Sequence, residues 1–331
     1  MSLLLSPLNT GRLPLKNRLV MPPMATSKAD PDGRVSASLL DYYDEKSRGG
    51  AIGLVIIEHN YISREGQNRL GQPSAADDAM IEGLSQLAEI IHRNGSKTAL
   101  QINHAGGAPA ETIPGIERLA PSDRQDRTDP QVRVARAMTP GEIAAIPGEF
   151  AAAALRARAA GFDGVEIHSA HGYLLNQFFS PLTNRRTDGY GGALDNRIRL
   201  HLEVIAAVRE AVGAEYPVLL RLGAIDDLEG GTRVEDSVRA AKQFARAGVD
   251  MIDVTGGLSG YVRPRHSEPG YFAEASKPIK EAVPIPVILT GGVTEAEQAE
   301  ALLADRSADL IGVGRAILRD SDWAVRAVQQ G

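Results

Sequence analysis

The sequence contains no cysteine. This absence excludes disulfide bonds, thiolate zinc sites, iron–sulfur clusters and a cysteine nucleophile, so redox chemistry in this chain would need a bound organic cofactor. Basic residues are in the minority, because 36 Lys and Arg face 42 Asp and Glu for a formal net charge of −6. Phosphate backbones attract clustered cations, and we therefore expect no nucleic-acid partner.

Long apolar runs are also missing. No stretch reaches the roughly 18 apolar residues of a membrane-spanning helix. The first residues, Met1–Pro7, lack both the basic start and the apolar run of a signal peptide. We therefore expect a cytoplasmic protein without membrane contact. A length of 331 residues with 43% hydrophobic composition allows a large core.

Short apolar segments recur along the chain between longer segments of helical character. Because they are apolar throughout rather than alternating, they are typical of strands buried on both faces in a parallel sheet covered by helices. The eight candidate strands are Arg18–Met21, Gly53–Ile57, Thr98–Ile102, Gly164–Ile167, Val218–Leu222, Met251–Val254, Pro286–Leu289 and Asp309–Val313.

Helix-start signals follow several of these strands. In each, a threonine precedes a glutamate by three residues, and the two side chains can cap free backbone N–H groups. Pro140 suits a first helical turn. The three pairs are Thr139 with Glu142, Thr232 with Glu235, and Thr294 with Glu297.

Eight alternating units over this length predict an α/β fold of the (β/α)8 TIM-barrel type, with residues 1–331 as a single domain. A doubly wound sheet would carry a glycine fingerprint after its first strand, where this chain has Pro22, Pro23 and Met24. The segment 105–137 is too long for an ordinary connection, so we predict an insertion that caps the barrel mouth.

Two histidines and a tyrosine follow the fourth candidate strand as His168, His171 and Tyr173. Residues at the carboxyl end of a barrel strand point into the mouth. Two imidazole N–H groups can hydrogen-bond a carbonyl oxygen and so make the conjugated alkene accept hydride, and a tyrosine can protonate the α-carbon. The alternatives are a structural pair or a metal site, but a third ligand is not evident, and we predict no metal.

Glycines and arginines near the last strands suit an anionic ligand. Gly291 and Gly292 follow the seventh candidate strand, and Gly314 and Arg315 follow the eighth. Glycines let backbone N–H groups approach phosphate oxygens, and Arg315 can add a charged contact. Arg221, inside the fifth strand, is costly to bury without an accepting partner, for which Glu166 or Asp253 is an alternative to a ligand.

The densest motif runs from His168 to Phe178 (HSAHGYLLNQF) and continues through Asn184–Gly192 to Asn196 and Arg197. With it, the chain from about Leu4 to about Trp323 resembles the old yellow enzyme family of NAD(P)H:flavin oxidoreductases. The resemblance implies an FMN-containing barrel that takes electrons from NADPH or NADH and reduces the C=C bond of small enones and related alkenes. By similarity, His168 and His171 would bind the substrate carbonyl and Tyr173 would donate the proton.

The resemblance also implies a set of flavin contacts. Arg221 would stabilise the anionic reduced flavin, Gln101 would bind its pyrimidine ring, and Thr26 would stand in for the cysteine or threonine that relatives carry at the Ala25 position. His59 replaces a usually small residue, so its side-chain role is open, whereas His104 is expected to be structural. The full set is Pro23, Met24, Ala25, Thr26, His59, Gln101, Arg221, Gly291, Gly292, Gly314 and Arg315.

The barrel is similar to the N-terminal part of 2,4-dienoyl-CoA reductases, but without cysteines the chain would take electrons directly from NAD(P)H. Arg263 and Arg265, in the loop Gly256–Phe272, are candidates to contact a phosphate or carboxylate. Alternative functions are an NAD(P)H:quinone or oxygen diaphorase, a non-enzymatic flavin carrier, and a barrel lyase or aldolase, which would need a strand-end lysine that the sequence does not offer. A homo-oligomer is possible.

Overall fold

The computed structural model describes residues 2–108, 113–125, 133–263 and 265–330. Its strands are β1 Leu19–Met21, β2 Leu54–Tyr61, β3 Lys97–Asn103, β4 Leu119–Ala120, β5 Arg124–Gln125, β6 Arg133–Ala137, β7 Gly164–Ser169, β8 Val218–Gly223, β9 Met251–Thr255, β10 Val287–Thr290 and β11 Leu310–Gly312.

Its helices are α1 Ala37–Ser47, α2 Ile81–Arg93, α3 Pro140–Ala159, α4 Leu174–Phe179, α5 Leu194–Arg197, α6 Arg199–Val212, α7 Val234–Arg246, α8 Ala273–Ala282, α9 Ala296–Ala304, α10 Arg315–Arg319 and α11 Trp323–Gln330. Two short 3-10 helices span Arg64–Gly66 and Asp78–Met80. Within the described part of the chain, no helix has the length and apolar character needed to cross a membrane.

Eight parallel strands close into a barrel in the order β1-β11-β10-β9-β8-β7-β3-β2. All eight candidate segments are strands of this barrel, which confirms the predicted (β/α)8 fold. The strands are buried on both faces as their uniform apolar character indicates, and every residue of β2 is buried. The structure extends β2 past the predicted end to Tyr61 and includes His168 within β7.

The barrel interior is layered because side chains alternate along each strand. Leu219 lies in an apolar layer, and Arg221, two residues further along β8, lies on the same face above it. On β9, Met251 and Asp253 repeat this pattern. The apolar layer, with the residues packed beneath it, consists of Leu13, Leu15, Val20, Leu54, Ile56, Ala99, Leu219, Met251, Ile288 and Leu310. Arg221 and Asp253 therefore lie on the carboxyl-terminal side of this layer.

One of the three predicted helix caps is correct. Thr139 and Glu142 form a reciprocal capping box at α3, with Pro140 in the first turn. The prediction for Thr232 is wrong: α7 begins after Arg233, and the Thr232 backbone N–H donates to Asp226 at 2.7 Å.

The prediction for Thr294 is also wrong. Helix α9 begins one residue later than that pattern requires, and the capping box is formed by Glu295 and Gln298. The Thr294 backbone N–H donates to the Gln298 side chain instead.

The predicted insertion between β3 and α3 contains a small three-stranded sheet in the order β4-β6-β5. Strand β4 pairs with β6 in parallel, and β5 pairs with β6 in antiparallel orientation. Its described residues contact the segment that follows α4, since the Arg185 backbone N–H donates to the Ser122 hydroxyl at 2.9 Å. The insertion is therefore attached beside the carboxyl ends of the barrel strands, where the candidate site lies.

Candidate active site

A cavity of about 490 Å³ lies at the carboxyl ends of the barrel strands. It is lined by thirteen of the predicted site residues, namely Pro23, Met24, Ala25, His59, Gln101, His168, His171, Tyr173, Arg221, Gly291, Gly292, Gly314 and Arg315. A larger and more open groove of about 840 Å³ runs between Tyr61 and α3, and it is lined by none of them. The smaller cavity is the candidate site because the chemistry-bearing side chains converge there.

Thr26 is the one predicted site residue that does not line the cavity. Its backbone N–H and its hydroxyl both donate to the Glu58 carboxylate, at 2.9 and 2.6 Å. Burial raises the pKa of Glu58 to about 7, and these two hydrogen bonds oppose that shift. The hydroxyl that was expected to stand in beside Ala25 is therefore occupied in holding the β1 loop to β2.

The aromatic wall of the cavity is built by β7 and the tight turn that follows it. His168 ends up 5.1 Å from both His171 and Tyr173, measured between ring centroids. His171 has a φ of 58° and Gly172 a φ of 75°, so two successive left-handed residues reverse the chain. This turn brings side chains three residues apart onto one wall, and Tyr261 contacts His171 from the opposite loop at 5.9 Å.

These rings are neutral hydrogen-bonding groups at neutral pH. Burial holds the pKa of His168 and of His171 well below the usual range, and the nearby Arg221 charge lowers both further. Burial raises the pKa of Tyr173 above its usual value of 10, although the charge of Arg69 opposes this shift. The Tyr173 hydroxyl consequently stays protonated, which is the state that a proton donor requires.

A histidine titration followed by NMR should show this directly. Burial lowers the pKa of His59 to about 3 and that of His104 to about 4. Because both values lie below that of free histidine, each ring becomes protonated only at a lower pH than free histidine does. We expect the ring signals of both residues to stay in the neutral form from pH 8 to pH 5, and a midpoint above pH 6 would contradict the described burial.

A charged cluster lies in the barrel interior beside this wall. The Arg221 Nη1 atom lies 3.3 Å from Asp253 Oδ2, and both side chains are buried. Gln101 donates to Glu166 at 2.7 Å, and burial together with the Asp253 charge raises the pKa of Glu166 to about 8. Of the two alternatives for Arg221, Asp253 is the ion-pair partner, while Glu166 is bound to Gln101.

Arg221 nevertheless keeps unused hydrogen-bonding capacity. Its Nε and Nη1 atoms are buried and have no hydrogen-bond acceptor among the described residues. Buried guanidinium donors without acceptors are costly, and this one lines the cavity. The arrangement therefore suits a ligand that presents acceptor atoms or negative charge to the floor of the cavity.

Glycines keep the far side of the cavity open. A Cβ atom on Gly291 would lie 2.7 Å from the Tyr271 ring, and one on Gly314 would lie 3.2 Å from the Met24 sulfur. Gly292 has a φ of 72°. Arg315 adds a cation at this side and donates to the Tyr271 hydroxyl at 3.3 Å. Exposed backbone groups and a guanidinium are suited to a phosphate.

A family model described as the NADH:flavin oxidoreductase / NADH oxidase family matches residues 3–331. The chain belongs to this family, the old yellow enzyme family. It is 41% identical to an NADH oxidase of Thermoanaerobacter brockii, over 96% of this chain and 49% of the relative. It is 39% identical to an NADPH dehydrogenase of Clostridium acetobutylicum, over 92% of this chain and 88% of the relative.

Solved structures of the old yellow enzyme family share the fold. Morphinone reductase superposes with a TM-score of 0.85 at 30% identity, over 100% of this chain and 90% of that chain. A 2-naphthoyl-CoA reductase in complex with 2-naphthoyl-CoA superposes with a TM-score of 0.91 at 26% identity, over 99% of this chain and 52% of that chain. The chain spans about half the length of that structure and of the Thermoanaerobacter relative.

The old yellow enzyme cofactor, FMN, fits the residues present. The unsatisfied donors of Arg221 suit the acceptor-rich edge of a flavin ring. The glycine side of the cavity, together with Arg315, suits a phosphate. The space between them is bounded by Pro23 and Met24, which offer flat apolar contact to a ring.

Several lining residues were missed from the sequence. Arg69 lines the cavity, although it belongs to a loop after β2 that has no periodicity or motif. Arg263, a candidate for phosphate or carboxylate contact, is buried and forms an ion pair with Asp227 at 2.6 Å. Arg265 is exposed. His104 is buried and accepts a hydrogen bond from the Gly106 backbone at 3.0 Å, in a structural position.

Proposed function

We propose that this chain is a cytoplasmic, single-domain FMN enzyme that uses NADPH or NADH to reduce the C=C bond of α,β-unsaturated carbonyl compounds. The observation that carries the proposal is the convergence of two neutral imidazoles and a protonated phenol on one cavity wall, formed by His168, His171 and Tyr173. A flavin carrier would have no use for this arrangement.

The chain offers separate residues for separate parts of FMN. Arg221 and Gln101 would bind the pyrimidine edge of the ring, and Gly291, Gly314 and Arg315 would bind the phosphate. When bound, FMN would supply the capacity to accept hydride from NAD(P)H and to deliver it to the alkene.

The histidines would act on the substrate as a pair of N–H donors. The His171 Nε2 atom lies 3.1 Å from the Thr255 hydroxyl, which fixes the ring, and the buried His168 Nδ1 has no partner among the described residues. Hydrogen bonds from neutral imidazoles to a carbonyl oxygen would withdraw electron density from the conjugated alkene. They become stronger as negative charge develops on that oxygen.

Tyr173 would then complete the reduction by giving its hydroxyl proton to the α-carbon. The Asn68 side chain donates to this hydroxyl at 3.1 Å, so the oxygen is held while its own proton is directed elsewhere. The cation of Arg69 nearby favours the phenolate that remains, as its lowering effect on the Tyr173 pKa indicates. The proton lost in turnover is replaced from solvent.

The visible spectrum of the purified protein tests the proposal. Flavin bands should bleach anaerobically with NADPH or NADH and return when cyclohexenone is added. The double variant His168→Ala/His171→Ala should abolish the return. The matched control is His92→Ala/His266→Ala, which removes two histidines outside the cavity and should leave the cycle intact. Recovery only with oxygen or a quinone would support the diaphorase alternative, and a protein that cannot be reconstituted with FMN would refute both.

A further inference from the structure

A third imidazole lies beside the proposed substrate-binding pair. His59 is buried near the end of β2, and its ring centroid lies 5.4 Å from that of Tyr173 and 6.2 Å from that of His168. Ring contacts thus run from His59 through His168 to His171. His59 therefore lines the part of the cavity on the other side of His168 from His171.

The hydrogen bonds of Gln72 determine which nitrogen of His59 carries the proton. The Gln72 Oε1 atom accepts from the Asn68 backbone N–H at 2.7 Å, and this assigns the amide oxygen. The Gln72 Nε2 atom donates to the His59 carbonyl oxygen at 3.1 Å and lies 2.7 Å from His59 Nδ1. Nδ1 must accept, so the neutral ring carries its hydrogen on Nε2.

The His59 Nε2–H group is available to a ligand. Burial keeps the ring neutral, the side chain lines the cavity, and the described part of the chain provides no hydrogen-bond partner for Nε2. A buried imidazole held by Gln72 in one tautomer therefore presents a fixed donor to the cavity. Such a group recognises acceptor atoms and rejects donors.

A cation lies on the same wall. Arg69 is half-buried and lines the cavity, and its charge acts on both His59 and Tyr173. Its Nε atom is buried without an acceptor, and the described residues form no salt bridge with its side chain. Glu58, an acid on which the Arg69 charge acts, already accepts two hydrogen bonds from Thr26. Arg69 also hydrogen-bonds the Tyr173 side chain, so its charge lies beside the proposed proton donor, and no carboxylate among the described residues pairs with it.

We propose that His59 and Arg69 form a second acceptor subsite, which selects alkenes carrying a carboxylate in addition to the carbonyl bound by His168 and His171. The substrate class is that of 4-oxo-2-enoic acids, in which a ketone and a carboxylate flank one C=C bond. This assignment rests on the proposed alkene reduction and adds its substrate class. A guanidinium next to a fixed N–H donor matches the two oxygens of a carboxylate.

Matched substrates test the subsite. These are 4-oxopent-2-enoate, its methyl ester and pent-3-en-2-one, which share the alkene and ketone but differ in the charged group. The wild-type kcat/KM should be about 10-fold or more higher for the acid than for the ester. The ratio of the two values cancels any general effect of Arg69 on the Tyr173 proton. The chain has no thiol that such electrophiles could alkylate.

Variants locate the preference. Arg69→Met should reduce the acid-to-ester ratio to about 1, and His59→Leu should lower it, whereas His59→Gln should retain part of it through its own N–H donor. The control is Arg64→Met, the same change at an exposed residue outside this cavity. A ratio that is unchanged in both Arg69→Met and His59→Leu would overturn the subsite.

Binding of saturated analogues separates this inference from the proposed function. Calorimetry with 4-oxopentanoate and its methyl ester needs no turnover, and the acid should bind more tightly only while Arg69 is present. If wild-type protein reduces no alkene but keeps this preference, the proposed function fails and the subsite stands. If Arg69→Met changes only the preference for NADPH over NADH, the cation serves the nicotinamide phosphate and the subsite is refuted.

Discussion

Replacing Tyr173 by phenylalanine is expected to slow reoxidation of the reduced enzyme by cyclohexenone by about 100-fold or more. The substitution removes the protonated hydroxyl and keeps the ring, which contacts His59 and His168. Reduction by NADPH needs no proton from Tyr173 and should stay near the wild-type rate. Anaerobic stopped-flow measurement of the two half-reactions distinguishes these effects.

The control for this change is Tyr190→Phe, whose hydroxyl donates to Glu203 outside the cavity. It should leave both half-reactions within about 2-fold, as expected for a surface hydroxyl. Because burial raises the Tyr173 pKa above 10, the wild-type rate should not fall as the pH rises from 7 to 9. Equal slowing of both half-reactions in Tyr173→Phe would contradict a hydroxyl proton that is needed only for alkene reduction.

Replacing Arg221 by methionine is expected to have the largest effect on the barrel. The change leaves the buried Asp253 without its cation, which typically costs about 3 kcal/mol of unfolding free energy. It also removes the unsatisfied donors at the cavity floor, so the affinity for FMN should fall by about 100-fold or more. Urea unfolding of the apoprotein and fluorescence titration with FMN measure the two effects.

The double variant Arg221→Met/Asp253→Asn separates stability from cofactor binding. With the acid neutralised, the apoprotein should recover most of the lost stability, because no buried charge lacks a partner. The affinity for FMN should not recover, since the donors are still missing. If the double variant is no more stable than Arg221→Met alone, the Arg221–Asp253 pair is not the source of the loss.

The barrel was predictable because its strands are apolar on both faces. The cavity wall was predictable because His168, His171 and Tyr173 are close in sequence at a strand end. Helix starts were harder to predict. At Thr232 and Thr294 the backbone N–H groups bind other side chains, so the Thr-x-x-Glu pattern does not form a cap there.

The choice between Glu166 and Asp253 as the partner of Arg221 required the strand register. Arg221 pairs in register with both Asp253 and His168, and Glu166 is one layer lower beside Leu219. That offset is a property of the closed barrel and is not visible in one strand. The position of Arg69 in the cavity could not be predicted for a related reason, because tertiary contacts in the folded protein bring its loop there.

The apolar layer across the barrel interior determines the side from which reactants can enter the cavity. Leu219, Met251 and their neighbours close the amino-terminal side of the described barrel, so the cavity opens only toward the carboxyl ends of the strands. If nicotinamide and alkene both enter from that side, each must leave before the other arrives. An excess of either reactant then inhibits binding of the other. Turnover is therefore fastest when neither reactant saturates the cavity.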